Sequence, residues 1–340
     1  MNSELFTKAS PVRLLVITSI SHQDSIQIRK LAEFLDRFNL KAIVVADKKT
    51  PVWENEKNFI FLSVEEQLDL WPKLASLLPW NHYARKNLGY LKALDLKVDS
   101  LLDTDDDNLP IANPWEYKFD FVRSLSETSW VNVYRLFGQE FLWPRGFPLQ
   151  YVNQDISDFR LESFPGQVDC FQSLVDGDPD IDAIGRLLYP AKVMFSEKIP
   201  VLLNSAVCPT NSQATVWSAW TIPLLYLPSS VSFRMTDIWR GLIIQSAIRK
   251  FNGVTIFGKL GFHQERNIHN LLDDFELEVV GHLKSVKLQE RSDAHWMSTV
   301  SSKDSNSLVE SLYRLYEILA REKFISLHEL DILEEWQKLF

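Results

Sequence analysis

A chain of 340 residues is long enough for one large domain or two ordinary ones, and 46% hydrophobic with 24% charged residues is a globular composition. Lys and Arg number 36 against 45 Asp and Glu, a formal charge of −9 with no basic block, which sets nucleic acid aside as a main partner. The two cysteines, Cys170 and Cys208, exclude a disulfide scaffold and a Cys-based zinc site, and they fit a reducing compartment.

Near the N-terminus the apolar run Leu14 to Ile17 is too short for the core of a signal peptide. The most apolar later stretch, 216–231, is broken by Pro223 and Pro228 and falls short of a spanning helix. The expectation is a cytoplasmic protein with no signal peptide or transmembrane segment, with peripheral membrane association left open.

Residues 13–21 (RLLVITSIS) read as a buried strand, an apolar β-branched run ended by small polar residues. Residues 24–38 then place Ile28, Leu31, Leu35 and Phe38 on one helical face. KAIVVAD (41–47) and NFIFL (58–62) are further strands, and Ser63 with Glu66 is a capping-box signature for the next helix. A helix over 86–96 leads to a strand over 98–102. Strand and helix in alternation predict an α/β domain with a mostly parallel sheet. Ligands bind such sheets beyond the carboxyl ends of the strands, where Thr18, Ser19, Asp47 and residues 103–108 would converge.

The second half is less regular. Residues 110–170 are rich in aromatic and turn residues. Thr236 reads as the N-cap of a helix through Lys250, with Gly253 just past its end. Leu308, Leu312, Leu315 and Leu319 form a helical stripe, and Ser326 with Glu329 reads as the cap of a final helix. Residues 1–300 are taken as the main domain and 301–340 as a helical extension packed on it.

Two acidic runs carry the chemistry. Asp103-Thr104-Asp105-Asp106-Asp107-Asn108 follows an apolar strand, and Asp176-Gly177-Asp178-Pro179-Asp180-Ile181-Asp182 lies further on. Like charges this close need water, a base or a divalent cation to offset them, and hard carboxylate oxygens suit Mg²⁺, Mn²⁺ or Ca²⁺. Neither run fits an EF-hand loop: from Asp103, position 6 is Asn108 and position 12 is Pro114, and from Asp176, position 12 is Leu187. A phosphatase-type aspartyl nucleophile and a plain solvated loop are the other readings. A DxD at a strand end has a further use, holding a divalent cation against a diphosphate, as in nucleotide-sugar glycosyltransferases of the GT-A type. No Walker A sequence, GxGxxG or HExxH is present.

Seven blocks in order sharpen that reading: KNLGYL (86–91), DTDDDNLP (103–110), Val133-Tyr134-Arg135, WPRGFP (143–148), DGDPDIDAIGRL (176–187), CPTNSQATVW (208–217) and PSSVSFRMTDIWRG (228–241). Together they resemble the STELLO-type glycosyltransferase family, and more distantly the reversibly glycosylated polypeptide and UDP-arabinopyranose mutase group. The resemblance implies a GT-A-like, Rossmann-like α/β fold, a nucleoside-diphosphate sugar donor, a divalent metal (Mn²⁺ or Mg²⁺) and a glycan or other hydroxyl acceptor. The Golgi residence and cellulose-related role of the plant members are not carried over.

Asp103, Asp105 and Asp107 are then the candidate metal ligands, with Asp105 common to both DxD registers. Thr18, Ser19, Asp47, Lys86, Asn87, Gly89 and Asp106 are candidates for the donor, with Gly89 allowing close approach. Asp178, Asp182, Asn211, Gln213 and Arg240 are candidates for the sugar or acceptor, and Asp237 and Asp180 are the catalytic candidates. The family pattern adds His263 and Arg266 for the leaving diphosphate. A non-catalytic scaffold on a transferase fold and a sugar-nucleotide mutase are the alternative functions. Each residue also has a structural alternative, such as a strand-end turn for Asp47 or a helix-start position for Asp237.

Overall fold

The structure is a computed structural model that describes residues 10–54, 57–118, 120–125, 129–156, 159–164, 166–190, 192–264 and 270–340. The first half runs β1 (Arg13–Ser19), α1 (Ile26–Phe38), β2 (Lys41–Ala46), β3 (Phe59–Leu62), α2 (Val64–Leu70), α3 (Pro72–Leu77), α4 (Lys86–Asp95) and β4 (Ser100–Thr104). These strands lie in the order β3-β2-β1-β4, every pairing parallel. They read as continuous apolar runs because the sheet is covered on both faces.

Local signals account for the helices around it. Ser25 caps α1 by accepting from the Ile28 amide, and Asn39 ends it in the left-handed region at φ 50°. The Ser63–Glu66 capping box that starts α2 is complete in both directions. Gly89 on α4 faces the sheet, where a Cβ would stand 2.6 Å from Val16 Cγ1 and 2.8 Å from Val45 Cγ2. The glycine therefore serves the approach of α4 to β1 and β2, a correction to its expected place beside a diphosphate.

The second half adds β5 (Asn108–Pro110), β6 (Phe121–Leu125), α5 (Val133–Leu136), β7 (Phe159–Ser163), β8 (Cys170–Gly177), α6 (Ala183–Leu188), β9 (Val201–Leu202), β10 (Ala214–Ser218), α7 (Thr236–Lys250) and β11 (Thr255–Gln264). Among the described residues all eleven strands form one sheet, continuing from β4 through β10, β8, β11, β9, β6 and β7. β10 is antiparallel to both β4 and β8, whereas β8 and β11 are parallel. The α/β class is as expected, with the all-parallel run confined to β1–β4 and a mixed sheet beyond.

Three helices close the chain: α8 (Leu271–Thr299), α9 (Ser305–Arg321) and α10 (His328–Gln337). Helix α7 is buried almost all round, from Thr236 to Ile248, and so shows no amphipathic stripe. Thr236 is its first residue rather than its cap; Met235 holds the cap position and the Thr236 hydroxyl donates to the Ser232 carbonyl. Glu329 also differs from its expected capping role. Its fully buried carboxylate accepts from Tyr226 Oη and from the Ser229 and Ser230 amides. Among the described residues no helix is long and apolar enough to cross a membrane.

Candidate active site

Strands β1, β2 and β4 run parallel and end at the same edge of the sheet. This opens a crevice of about 450 Å³ at the carboxyl edge of the parallel run. Its lining includes Thr18, Ser19 and residues 105–107 from the first half of the sheet, and Arg145, Asp180 and Asp237 from the second half of the chain.

The first acidic run divides in register with β4. Asp103 is fully buried beneath the crevice, with Oδ1 2.6 Å from Lys86 Nζ, Oδ2 2.8 Å from Arg240 Nη1, and a bond of 2.9 Å from Tyr90 Oη. Burial alone would raise its carboxyl, but the two cations prevail and hold it below the usual carboxylate range. Its expected place as a metal ligand is therefore corrected: both oxygens are committed to cations in the protein interior.

Asp105 and Asp107 reach the crevice. Asp105 is one-third exposed; its Oδ1 accepts from Tyr83 Oη at 2.7 Å and lies 3.4 Å from Lys86 Nζ. Burial pushes its carboxyl up to about 7; Lys86 opposes this and the like charge of Asp107 adds to it. Asp107 Oδ1 accepts from Gln264 Nε2 at 2.9 Å. Asp106 binds the hydroxyls of Ser19 and Ser21, which ties the loop after β1 to the acidic run.

Asp47 lines the crevice, but its carboxylate is engaged by the Lys48 amide at 2.6 Å and the Asn81 amide at 2.7 Å. Lys86 and Asn87 do not reach the crevice. Lys86 is buried among Asp103, the Thr104 carbonyl and Tyr83. Asn87 clamps Leu227, donating to its carbonyl at 3.0 Å and accepting from its amide at 2.7 Å. Their expected donor contacts are thus replaced by positioning roles in the wall.

The second run is mostly structural. Asp182 is fully buried, caps α6 by accepting from the Gly185 amide at 2.8 Å, and accepts from Trp143 Nε1 at 2.6 Å. Asp178 pairs with Lys192 and with Arg186, outside the crevice lining. Asp180 faces the crevice, gripped in two-pronged fashion by Arg145 at 2.7 and 2.8 Å. The same guanidinium lies 3.2 Å from both oxygens of Asp237, which also accepts from the Ser212 amide at 3.1 Å. One guanidinium is thus shared between Asp180 and Asp237.

Arg240 is 1% exposed and binds Asp103, Tyr90 and Ser212, so a sugar or acceptor cannot reach it. Asn211 is likewise buried, exchanging bonds with Gln172. Gln213 does line the crevice and donates to the Asp178 carbonyl at 3.1 Å. His263 sits in β11 beside Gly177, outside the crevice lining, and Arg266 lies outside the described residues.

Several lining residues had no sequence-derived role: Tyr83, Arg145, Phe233, Arg234 and Gln264. Arg145 and Phe233-Arg234 fall in two of the blocks above, which was the available signal. Tyr83 lies in a short turn between helices, where no periodicity marks it.

Among the described residues no group of three His, Cys, Asp or Glu side chains is placed to hold a metal by itself. Two carboxylates suffice for a Mg²⁺-type site when phosphate oxygens and water complete the shell. Asp105 and Asp107 meet that need in ligand chemistry, and both line the crevice.

The chain matches no protein-family model. It is 24% identical to the probable glycosyltransferase STELLO1 of Arabidopsis thaliana, over 94% of this chain and 43% of that protein. It is 27% identical to the probable glycosyltransferase STELLO2 of the same plant, over 75% of this chain and 37% of that one. The chain is thus similar in sequence to two STELLO proteins. It spans less than half the length of either STELLO protein. A mycobacterial protein of known crystal structure is similar at 12% identity with a TM-score of 0.41, over 87% of this chain and 79% of that one.

Proposed function

We propose that the chain is a glycosyltransferase that binds a nucleoside-diphosphate sugar in this crevice and passes the sugar to a hydroxyl of a glycan or other acceptor. Asp105 carries the reading. It is a carboxyl at the end of a parallel strand, raised to about 7 by burial and by the neighbouring Asp107, in a chain similar to proteins named probable glycosyltransferases. Asp105 and Asp107 would hold Mn²⁺ or Mg²⁺, which when bound offsets charge on the departing diphosphate.

The protein's own groups supply the rest. Tyr83 and Gln264 orient the two carboxylates. Transfer breaks the bond from the anomeric carbon to the diphosphate oxygen and forms one to the acceptor oxygen. The acceptor proton passes to the Asp237 carboxylate, and the nucleoside diphosphate leaves. Arg145, held by Asp180, fixes the direction of Asp237.

Incubation with a panel of nucleotide sugars plus Mn²⁺ or Mg²⁺ tests this. One donor is expected to release its nucleoside diphosphate. Asp237→Asn should keep donor binding and lose turnover by about 10²–10⁴-fold. A panel with no binding in the presence of metal would overturn the proposal in favour of a scaffold. Isomerised donor without any acceptor would overturn it in favour of a mutase.

A further inference from the structure

We propose that Phe233 is a preformed stacking surface for the nucleobase of the bound nucleotide; this rests on the glycosyltransferase reading of the crevice. Phe233 is 53% exposed at the crevice, whereas Val231 and Met235 on either side are 6% and 1% exposed. Lone exposed apolar residues are common and need no explanation. This one differs because buried groups fix the segment on both of its flanks.

Upstream, Asn87 of α4 clamps Leu227 in both directions, and the carboxylate of Glu329 on α10 gathers the Ser229 and Ser230 amides at 2.9 and 2.6 Å. Downstream, Arg234 donates two bonds to Glu278 of α8, at 2.9 and 2.6 Å. A fully buried carboxylate such as Glu329 is expensive to desolvate, and here it serves to shape a loop. The result is an aromatic residue whose chain is anchored on both sides before any ligand arrives, so little further backbone ordering is lost when one binds.

The surroundings make the ring part of an aromatic strip. Phe233 meets His82 and Tyr83 nearly edge to face, with centroids 6.1 and 6.0 Å away and interplanar angles of 87° and 72°. His82 and Tyr83 follow Asn81, whose amide is bound to Asp47 at the end of β2. Tyr83 also touches Asp105. The aromatic strip therefore runs from the β2 end of the crevice to the proposed diphosphate position, the span a nucleoside diphosphate would occupy.

Calorimetry with MnCl₂ present, using UDP, GDP, ADP, UDP-glucose and inorganic pyrophosphate as probes, tests the inference on the wild type, Phe233→Ala and Phe233→Tyr. Thermal unfolding of all three is expected to coincide, because the ring is exposed. Phe233→Ala should weaken nucleoside diphosphates about 5- to 150-fold, leave pyrophosphate unchanged, and be rescued by Phe233→Tyr. Unchanged nucleotide affinity in Phe233→Ala would overturn this inference and leave the functional reading standing. An equal loss for pyrophosphate, or a loss for UDP-glucose without one for UDP, would also overturn it. A wild type that binds none of the probes would overturn both.

Discussion

The two acidic runs look alike in sequence and meet opposite fates. The first follows a buried parallel strand, so its register sends Asp103 inward to Lys86 and Arg240 and carries Asp105 and Asp107 out to the crevice. The second leads from β8 into α6, and the turn between them uses its carboxylates. Asp182 becomes a helix cap, Asp178 a partner of Lys192, and only Asp180 reaches the crevice. Acidity in a sequence is thus no measure of ligand-binding capacity; what decides it is whether the backbone and nearby cations already satisfy each carboxylate.

The largest effect that separates the runs is in stability. Asp103→Asn removes a carboxylate in contact with both Lys86 and Arg240 and leaves two buried cations poorly offset. A loss of about 3–5 kcal/mol is expected, measured by denaturant unfolding. A loss below 1 kcal/mol would mean that the buried triad is not formed. Asp182→Ala, in the other run, removes a cap and the bond from Trp143, and should cost about 1–2 kcal/mol. Asp178→Asn weakens a pair with the largely exposed Lys192 and a longer contact of 3.8 Å with Arg186, and should cost about 1 kcal/mol.

Asp105→Asn should differ in sign. Burial pushes the folded-state carboxyl up to about 7 from an ordinary 3.8, so its favourable contribution is complete below pH 3.8 and is lost as pH rises through 7. The ligand-free wild type should therefore lose stability relative to Asp105→Asn between pH 4 and pH 8, followed by denaturant midpoints at each pH. Parallel profiles would show that Asp105 is not desolvated.

Legibility followed sequence distance. Strands β1–β4, the Ser63–Glu66 box and the strand-end position of the first acidic run were readable, because each is specified by neighbours within a few residues. Helix α8 was not. Its buried face mixes Asp274, Glu278, Gly281, Ser285 and Ser292 with Leu288 and Trp296, while Leu272, Phe275 and Leu283 point outward, which blurs the usual apolar stripe. Small residues are needed there: a Cβ on Gly281 would stand 2.3 Å from Met235 Cε. The roles of Asn87, Arg240 and Glu329 depend on partners more than 95 residues away, with sequence separations of 140, 150 and 99 for three of their bonds. No local spacing announces such pairs.

The contrast between the runs comes down to one titration. Mn²⁺ binding in the presence of UDP, followed by the electron paramagnetic resonance signal of free Mn²⁺, should be clear in the wild type and in Asp178→Asn, and lost in Asp105→Asn. Equal Mn²⁺ binding by Asp105→Asn and the wild type would contradict the assignment of the first run as the cation site.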